Sequence, residues 1–387
     1  MRHIAILGST GSIGTNTLDV ISRYPEEFKL IAIAGGSNIP LLFQQIHKFA
    51  PQIVSVKRSV DAEMLQSRFP ATRFVHGSQG LLEIVRFPQV DTMVAAIDGT
   101  TALEATLESI RLGHRICLAN KETLVAAGEL INHALSLSRA EIIPIDSEQS
   151  AIFQCLGAMS GRQDAINKII LTASGGPFFK TPKHEFAHIT IKEALNHPTW
   201  SMGVKVTIDS ATLMNKALEI IEAFYLFRLR PNQIDVVIHP QSIVHSMVEF
   251  SDSSILAQLS VPDMKLPILY SLSYPSRIPF KNNRLNFSQF LNLEFYPVDR
   301  EKFTSINMAF YVLEQGKNAG VVLNAANEVA VEYYLQERIS FDTIFSVVAH
   351  ILYNESLYLV HTVEDIVQSI EITKRKTEEY INGKFPK

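Results

Sequence analysis

The densest run of polar chemistry in the 387-residue sequence is Ile208-Asp209-Ser210-Ala211-Thr212-Leu213-Met214-Asn215-Lys216-Ala217-Leu218-Glu219. Its pattern predicts one helix with Ser210 at the N-cap. On such a helix Asn215 and Glu219, four apart, and Lys216 and Glu219, three apart, are neighbours. The ordinary outcome of that spacing is an intrahelical ion pair worth a few tenths of a kcal/mol, roughly 0.2–0.5. The company these residues keep points further. Ser210, Asn215 and Lys216, with Ser174 ahead of Gly175-Gly176, offer hydroxyl, amide and ammonium donors suited to a phosphate, and Glu219 offers a carboxylate for a hard cation.

A second acidic group stands in Ile145-Asp146-Ser147-Glu148. Residues two apart in an extended chain point the same way, so Asp146 and Glu148 can converge on one Mg2+ or Mn2+, with substrate oxygens and water completing the shell. The same carboxylates also suit the start of a helix near Ala151, where the dipole favours negative charge, and the sequence leaves both readings open. Lys121, in Ala119-Asn120-Lys121-Glu122, follows another apolar strand; the carboxyl edge of parallel strands is where open α/β sheets bind ligands. His197, in His197-Pro198-Thr199-Trp200, lies in a long polar segment and can donate to a substrate that Trp200, the only tryptophan, would cover. Either residue can equally be packing. His239, in His239-Pro240-Gln241-Ser242, is a weaker candidate of the same kind.

Gly8-Ser9-Thr10-Gly11-Ser12-Ile13-Gly14 follows the first apolar strand and opens a helical pattern. Glycines there admit a pyrophosphate to the backbone, and the helix start favours its charge. The spacing is G-x-x-G-x-x-G, and its place as the first βα turn of a repeated βαβ array gives it weight that the glycines alone lack. The second strand ends in Ala34-Gly35-Gly36-Ser37-Asn38, with no Asp or Glu for a ribose 2'-hydroxyl, which predicts NADP rather than NAD.

These residues need a scaffold, and the apolar runs supply one. Ile4–Leu7, Leu30–Ala34, Ile53–Val56, Met93–Ile97, Ile116–Ala119 and Glu141–Ile145 read as buried parallel strands. Thr15–Tyr24, Leu41–Phe49, Thr101–Leu112 and Glu122–Ser138 read as the helices between them, so residues 1–149 are predicted to be doubly wound α/β. Strands at Ile169–Ala173, Asp235–His239, His245–Phe250 and Ile255–Leu259 predict an α+β domain over 150–275, with a lid at about 175–204. A linker is expected at 276–300, rich in Pro, Asn and Arg, and four helical patterns from Ile306 to Ile381 make 301–387 a helical domain.

The composition agrees. With 47% hydrophobic residues a disordered chain is excluded, and 35 Lys and Arg against 39 Asp and Glu give a net charge of -4 that offers no general attraction to nucleic acid or membrane. No apolar run approaches the roughly 20 residues of a membrane span. Met1-Arg2-His3 leads straight into a strand, leaving no room for a targeting segment, and two cysteines in apolar surroundings suit reduced thiols; a cytoplasmic protein is expected.

Taken together, the sequence resembles the 1-deoxy-D-xylulose 5-phosphate reductoisomerase family. The resemblance runs through the glycine turn, Leu118-Ala119-Asn120-Lys121-Glu122, Asp146-Ser147-Glu148, Ser174-Gly175-Gly176-Pro177-Phe178, His197-Pro198-Thr199-Trp200-Ser201-Met202-Gly203, Asp209 to Glu219, His239-Pro240-Gln241-Ser242, Pro262-Asp263-Met264 and Leu323 to Glu328. It implies a V-shaped homodimer whose subunit has a Rossmann-like NADPH domain, a catalytic domain with a flexible lid and a C-terminal helical bundle. It also implies a two-step reaction. Retro-aldol cleavage and aldol rejoining of 1-deoxy-D-xylulose 5-phosphate give an aldehyde, which NADPH reduces to 2-C-methyl-D-erythritol 4-phosphate, the committed step of the non-mevalonate isoprenoid pathway.

Carried over by residue, the resemblance assigns Asp146, Glu148 and Glu219 to Mg2+, Mn2+ or Co2+, and Ser174, Ser210, Asn215 and Lys216 to the phosphate. Lys121, Ser147 and His197 would contact the rest of the substrate, with Trp200 and Met202 closing over it. Thr10, Gly11, Ser12, Ile13, Gly36, Ser37, Asn38, Asn120, Glu122 and Gly203 would bind NADPH. Ser37 stands where some relatives carry Lys or Arg, so its hydroxyl and the Asn38 amide would serve the 2'-phosphate. On the residues alone, a plain NADP-dependent dehydrogenase of the semialdehyde or homoserine type and a silent dinucleotide sensor remain alternatives; Asp146, Glu148 and Glu219 distinguish them.

Overall fold

The computed structural model describes residues 1–157, 165–200, 202–281, 284–288 and 292–385. Ser201 of the predicted lid, and residues 282–283 and 289–291 of the predicted linker, lie outside the described residues. The chain divides into two compact units, the first made of 1–123, 129–150 and 263–282, the second of 124–128, 151–262 and 283–387.

The first unit alternates strand and helix: β1 (Arg2–Leu7), α1 (Ser12–Arg23), β2 (Phe28–Gly35), α2 (Ile39–Phe49), β3 (Ile53–Val56), α3 (Ser59–Arg68), β4 (Arg73–His76), α4 (Gly77–Val85), β5 (Thr92–Ala95), α5 (Leu103–Arg111), β6 (Arg115–Leu118), α6 (Lys121–Ser136) and β7 (Glu141–Pro144), followed by α7 (Ser147–Gly157). The seven strands form one sheet in the order β4-β3-β2-β1-β5-β6-β7, parallel at every pairing. Ile4, Ile6, Ile33, Val54, Val94 and Cys117 are buried in its core, as a sheet covered on both faces requires. The order reverses between β1 and β5, the position where ligands bind in such sheets.

The sequence reading lacks α3, β4 and α4. Ser59–Arg68 has little apolar periodicity, and β4 is half exposed at the sheet edge, so neither carries the hydrophobic signal on which the other elements rest.

The second unit contains β8 (Ile166–Ala173), α8 (Ile191–Ala194), α9 (Val204–Ala211), α10 (Met214–Phe227), β9 (Ile234–Ile238), β10 (Val244–Phe250) and β11 (Ile255–Leu259); α11 (Lys265–Ser273) returns to the first unit. Its sheet runs β11-β10-β8-β9-β12, where β12 (Tyr296–Pro297) is a short strand inside the predicted linker. β8 and β9 are parallel, and β10 and β11 form the predicted antiparallel pair. α12 (Ser305–Gln315), α13 (Ala319–Leu335), α14 (Phe341–Asn354) and α15 (Val363–Lys384) make the helical C-terminal part, with α13 buried along most of its length. Most of the predicted lid is anchored. Phe178, Phe186, Ile189 and Ala194 are buried in the same core as α10 and α13, and Phe186 packs its ring on Phe178, Phe303, Phe341 and Phe345.

Candidate active site

In the first unit the glycine turn has three different tasks. Gly8 adopts φ +95°, and a Cβ there would sit 2.3 Å from the Ala96 carbonyl oxygen. A Cβ on Gly14 would lie 2.2 Å from the Gly8 oxygen, so Gly14 lets α1 pack onto the turn. Gly11 is exposed, a Cβ there would meet only Gly8 O, at 3.5 Å, and it caps α1 without any side-chain acceptor. The free N–H groups at Ser12 and Ile13 are the anion-binding feature expected of this position. Beside it Gly36, Ser37 and Asn38 are exposed at the end of β2, although the Asn38 oxygen also accepts from Leu41 N at 3.1 Å and caps α2.

Asn120 is buried and does visible structural work. It caps α6 by accepting from Thr123 N at 3.1 Å and donates to the backbone oxygens of Ile97 and Gly99, the latter at 2.6 Å, tying the loop after β5 to the start of α6. Next to it, Lys121 Nζ lies 2.6 Å from Asp146 Oδ2, with both side chains about a tenth exposed (12% and 10%). Asp146 ends the β7 segment. Its Oδ1 accepts from Glu148 N at 3.2 Å and its carbonyl from Ser150 N at 2.8 Å, while Ser147 Oγ donates to Glu148 Oε2 at 2.6 Å. Asp146 thus accepts at the start of α7 with one oxygen, as the helix-start reading expects, and pairs its other oxygen with the ammonium of Lys121.

In the second unit Ser174 follows β8. Gly175 and Gly176 have φ +83° and +61°, and a Cβ on Gly176 would meet the Ser210 carbonyl oxygen at 2.8 Å, so the turn is pressed onto the end of α9. This brings the Ser174 turn beside Ser210. His197 Nδ1 accepts from Thr199 N at 3.1 Å and Trp200 N at 2.9 Å, which places its proton on Nε2, 2.9 Å from Ser174 Oγ. The hydroxyl accepts there and from Gly176 N at 3.3 Å, leaving its own O–H to donate outward. Burial holds the His197 pKa below its usual value, which keeps this neutral tautomer. Trp200 is half-buried with its ring 6.5 Å from that of His245; Met202 is half-buried and Gly203 exposed at the start of α9.

The single helix predicted from Asp209 is two helices. α9 ends at Ala211, Leu213 takes a left-handed conformation (φ 55°), and α10 starts at Met214. Ser210 is consequently in the last turn of α9 and is not an N-cap. The break has a chemical result: Asn215 and Lys216 occupy the first turn of α10, directly after the left-handed Leu213, at the end of the helix whose dipole favours an anion. Lys216 Nζ and Asn215 Nδ2 both donate to Glu219, as the three- and four-residue spacings predict. Lys216 and Glu219 are 3% and 1% exposed, so this is no surface pair of marginal value; removing either partner would strand a buried charge.

Three family models match the chain in order: 1-deoxy-D-xylulose 5-phosphate reductoisomerase over residues 4–128, the C-terminal domain of that enzyme over 142–227, and the DXP reductoisomerase C-terminal domain over 259–376. The chain belongs to the 1-deoxy-D-xylulose 5-phosphate reductoisomerase family. A reductoisomerase of Bacillus cereus (strain Q1) is 44% identical over 382 residues, 98% of this chain and 100% of that protein; one from Geobacillus sp. (strain WCH70) is 44% identical over 97% of this chain and 98% of its own length. Among solved structures, a DOX-P reductoisomerase in complex with NADPH, fosmidomycin and magnesium is similar with a TM-score of 0.92 and 39% identity, covering 99% of this chain and 98% of that one. The Zymomonas mobilis enzyme in complex with NADPH has a TM-score of 0.93 at 35% identity, covering 98% and 99%. The family resemblance read from the sequence is thus borne out along the whole chain, as is its fold.

Two supporting residues escaped the sequence reading. Gln45, buried on α2, accepts from Ser9 Oγ at 2.8 Å and donates to Ser9 O at 2.8 Å, bracing the glycine turn; a glutamine between Leu42 and Ile46 on the apolar face was its only signal. Asn327 of α13 donates to Asp209 Oδ1 at 2.7 Å, while Lys205 pairs with Oδ2 at 2.8 Å, anchoring the residue beside Ser210.

Proposed function

We propose that this chain is an NADPH- and divalent-metal-dependent oxidoreductase that isomerises and reduces 1-deoxy-D-xylulose 5-phosphate to 2-C-methyl-D-erythritol 4-phosphate, the committed step of the non-mevalonate isoprenoid pathway. One observation carries the reading beyond simple hydride transfer. A chain with an open dinucleotide turn also carries the carboxylates Asp146, Glu148 and Glu219 and the donors Ser174, Ser210, Asn215 and Lys216, none of which a plain dehydrogenase needs.

On this reading residues 1–149 bind NADPH, 150–275 supply the catalytic part with a mobile segment within about 175–204, 276–300 connect, and 301–387 support. Thr10, Gly11, Ser12 and Ile13 take the pyrophosphate; Gly36, Ser37 and Asn38 take the adenosine end; Asn120, Glu122 and Gly203 complete the cofactor site. Asp146, Glu148 and Glu219 hold Mg2+, Mn2+ or Co2+, an all-oxygen anionic set of the kind hard divalent ions prefer. When bound, the metal supplies positive charge to substrate carbonyl and hydroxyl oxygens that gain negative charge in a retro-aldol and aldol sequence. Ser174, oriented by the Nε2–H of His197, joins Ser210, Asn215 and Lys216 on the phosphate. Lys121 and Ser147 position the sugar oxygens, and Trp200 and Met202 exclude water. A homodimer in the cytoplasm is the assembly and location we infer; among the described residues no helix is long and apolar enough to cross a membrane.

The decisive experiment follows NADPH absorbance on addition of 1-deoxy-D-xylulose 5-phosphate, with Mg2+ or Mn2+ and after chelation. Metal-dependent oxidation is expected. Glu219→Gln keeps one of the two acceptor oxygens that Lys216 and Asn215 use and loses a ligand charge, and should lower turnover by about a hundredfold or more in protein that circular dichroism shows to be folded. NADPH oxidation that is absent, or indifferent to both metal and Glu219, would reject the assignment.

A further inference from the structure

We propose that the turn Lys302–Ser305 is a positioning clamp for the phosphate site, holding its two donor segments in register from behind. The inference rests on the reading of Ser174, Ser210, Asn215 and Lys216 as phosphate donors. Lys302, only 8% exposed, points its ammonium at three backbone oxygens of the segment that follows Ser174-Gly175-Gly176: Phe179 O at 2.6 Å, Thr181 O at 3.1 Å and Phe178 O at 3.5 Å. Three donors meet three carbonyls, and the rings of Phe303 (4.9 Å) and Phe186 (6.0 Å) add their faces. Three residues on, the fully buried Ser305 donates to Thr212 O at 2.8 Å, in the linker between α9 and α10. That linker separates Ser210 from Asn215 and Lys216. One short turn is thus hydrogen-bonded to both segments that present the phosphate donors, through their main-chain oxygens.

A buried ammonium is costly to desolvate, and here it is spent wholly on main-chain carbonyls, with no carboxylate partner among its hydrogen bonds. Such an arrangement buys geometry. With Gly176 already pressed on Ser210 O, loosening either anchor would let the Ser174 hydroxyl and the α10 start drift apart, which weakens phosphate binding before it touches the chemistry at the other end of the substrate.

The test compares Lys302→Met, Lys302→Arg and Ser305→Ala with the wild-type chain, using 1-deoxy-D-xylulose 5-phosphate and, as the phosphate-free control, 1-deoxy-D-xylulose at high concentration. Lys302→Met and Ser305→Ala should raise KM for the phosphorylated substrate about tenfold with kcat changed less than about threefold. KM for NADPH and the slow reaction of the phosphate-free sugar should stay within about twofold, and Lys302→Arg should recover much of the loss. Equal losses on both sugars would show a merely structural role and overturn the proposal, as would an unchanged KM. Should Lys302→Met fail to fold, Ser305→Ala decides alone by the same comparison. A wild-type chain inactive on the phosphorylated sugar would instead refute the function on which the proposal rests.

Discussion

At the scale of single residues, the structure turns lists of polar side chains into defined donors and acceptors. His197 is the clearest case, because two backbone N–H groups on Nδ1 leave only one neutral tautomer and thereby decide which way the Ser174 hydroxyl donates. Protonating His197 would put a second N–H against those two donors. Its pKa is lowered by burial, as is that of His239, whose Nδ1 faces Glu294 O at 2.8 Å and whose Nε2 accepts from Ile243 N at 3.2 Å. The sign follows from linkage: the unfolded chain takes up these protons first, so the stability is intact above about pH 6.5 and is lost as pH falls through the depressed folded values. Apparent affinity for the phosphorylated substrate and the thermal midpoint should both fall from pH 7 to pH 5.5, and His197→Gln should flatten the affinity profile. An affinity profile in His197→Gln identical to that of the parent would assign the pH effect elsewhere.

At the scale of elements, the informative places are where chain segments meet with no room to spare. Gly14→Ala would push a methyl onto the Gly8 carbonyl and part α1 from β1; we expect a loss of at least about 2 kcal/mol in unfolding free energy from denaturant titration together with weakened NADPH binding, whereas Gly11→Ala, with open space around it, should keep stability and lose only cofactor affinity. Equal stability losses in the two variants would contradict this division of labour. Strands and helices of the first sheet were legible in the sequence because burial on both faces writes continuous apolar runs between polar turns. α3 and β4 were not, being amphipathically weak and at an edge. The break between α9 and α10 was also hidden: Ile208 to Glu219 contains no Gly or Pro to mark an end, and the left-handed residue is a leucine, a good helix former.

At the scale of the whole molecule, the candidate chemistry lies at strand ends and helix termini while both thiols sit in the interior. Cys117 and Cys155 are buried and free, and burial pushes each pKa to about 11. At pH 7.5 neither should react appreciably with Ellman's reagent in the native chain, and both should react in denaturant; fast native labelling of either would place it on a surface. By itself the sequence determined the family, the parallel α/β order of the first unit, the acidic pair after β7 and the Asn215-Lys216-Glu219 constellation, because these depend on residue type and on separations of a few positions along one element. Tertiary structure alone decided that Lys121 reaches Asp146 from the neighbouring strand end, that Ser210 closes one helix instead of opening another, that Phe186 of the 175–204 segment is buried in the core, and that Lys302 and Ser305 bond the segments after Ser174 and Ser210. The pairings among these join residues far apart in the chain, Lys121 with Asp146 across 25 positions, Ser305 with Thr212 across 93 and Lys302 with Phe179 across 123. No local pattern encodes such a pairing; it arises only when the cores on which these segments are mounted have packed.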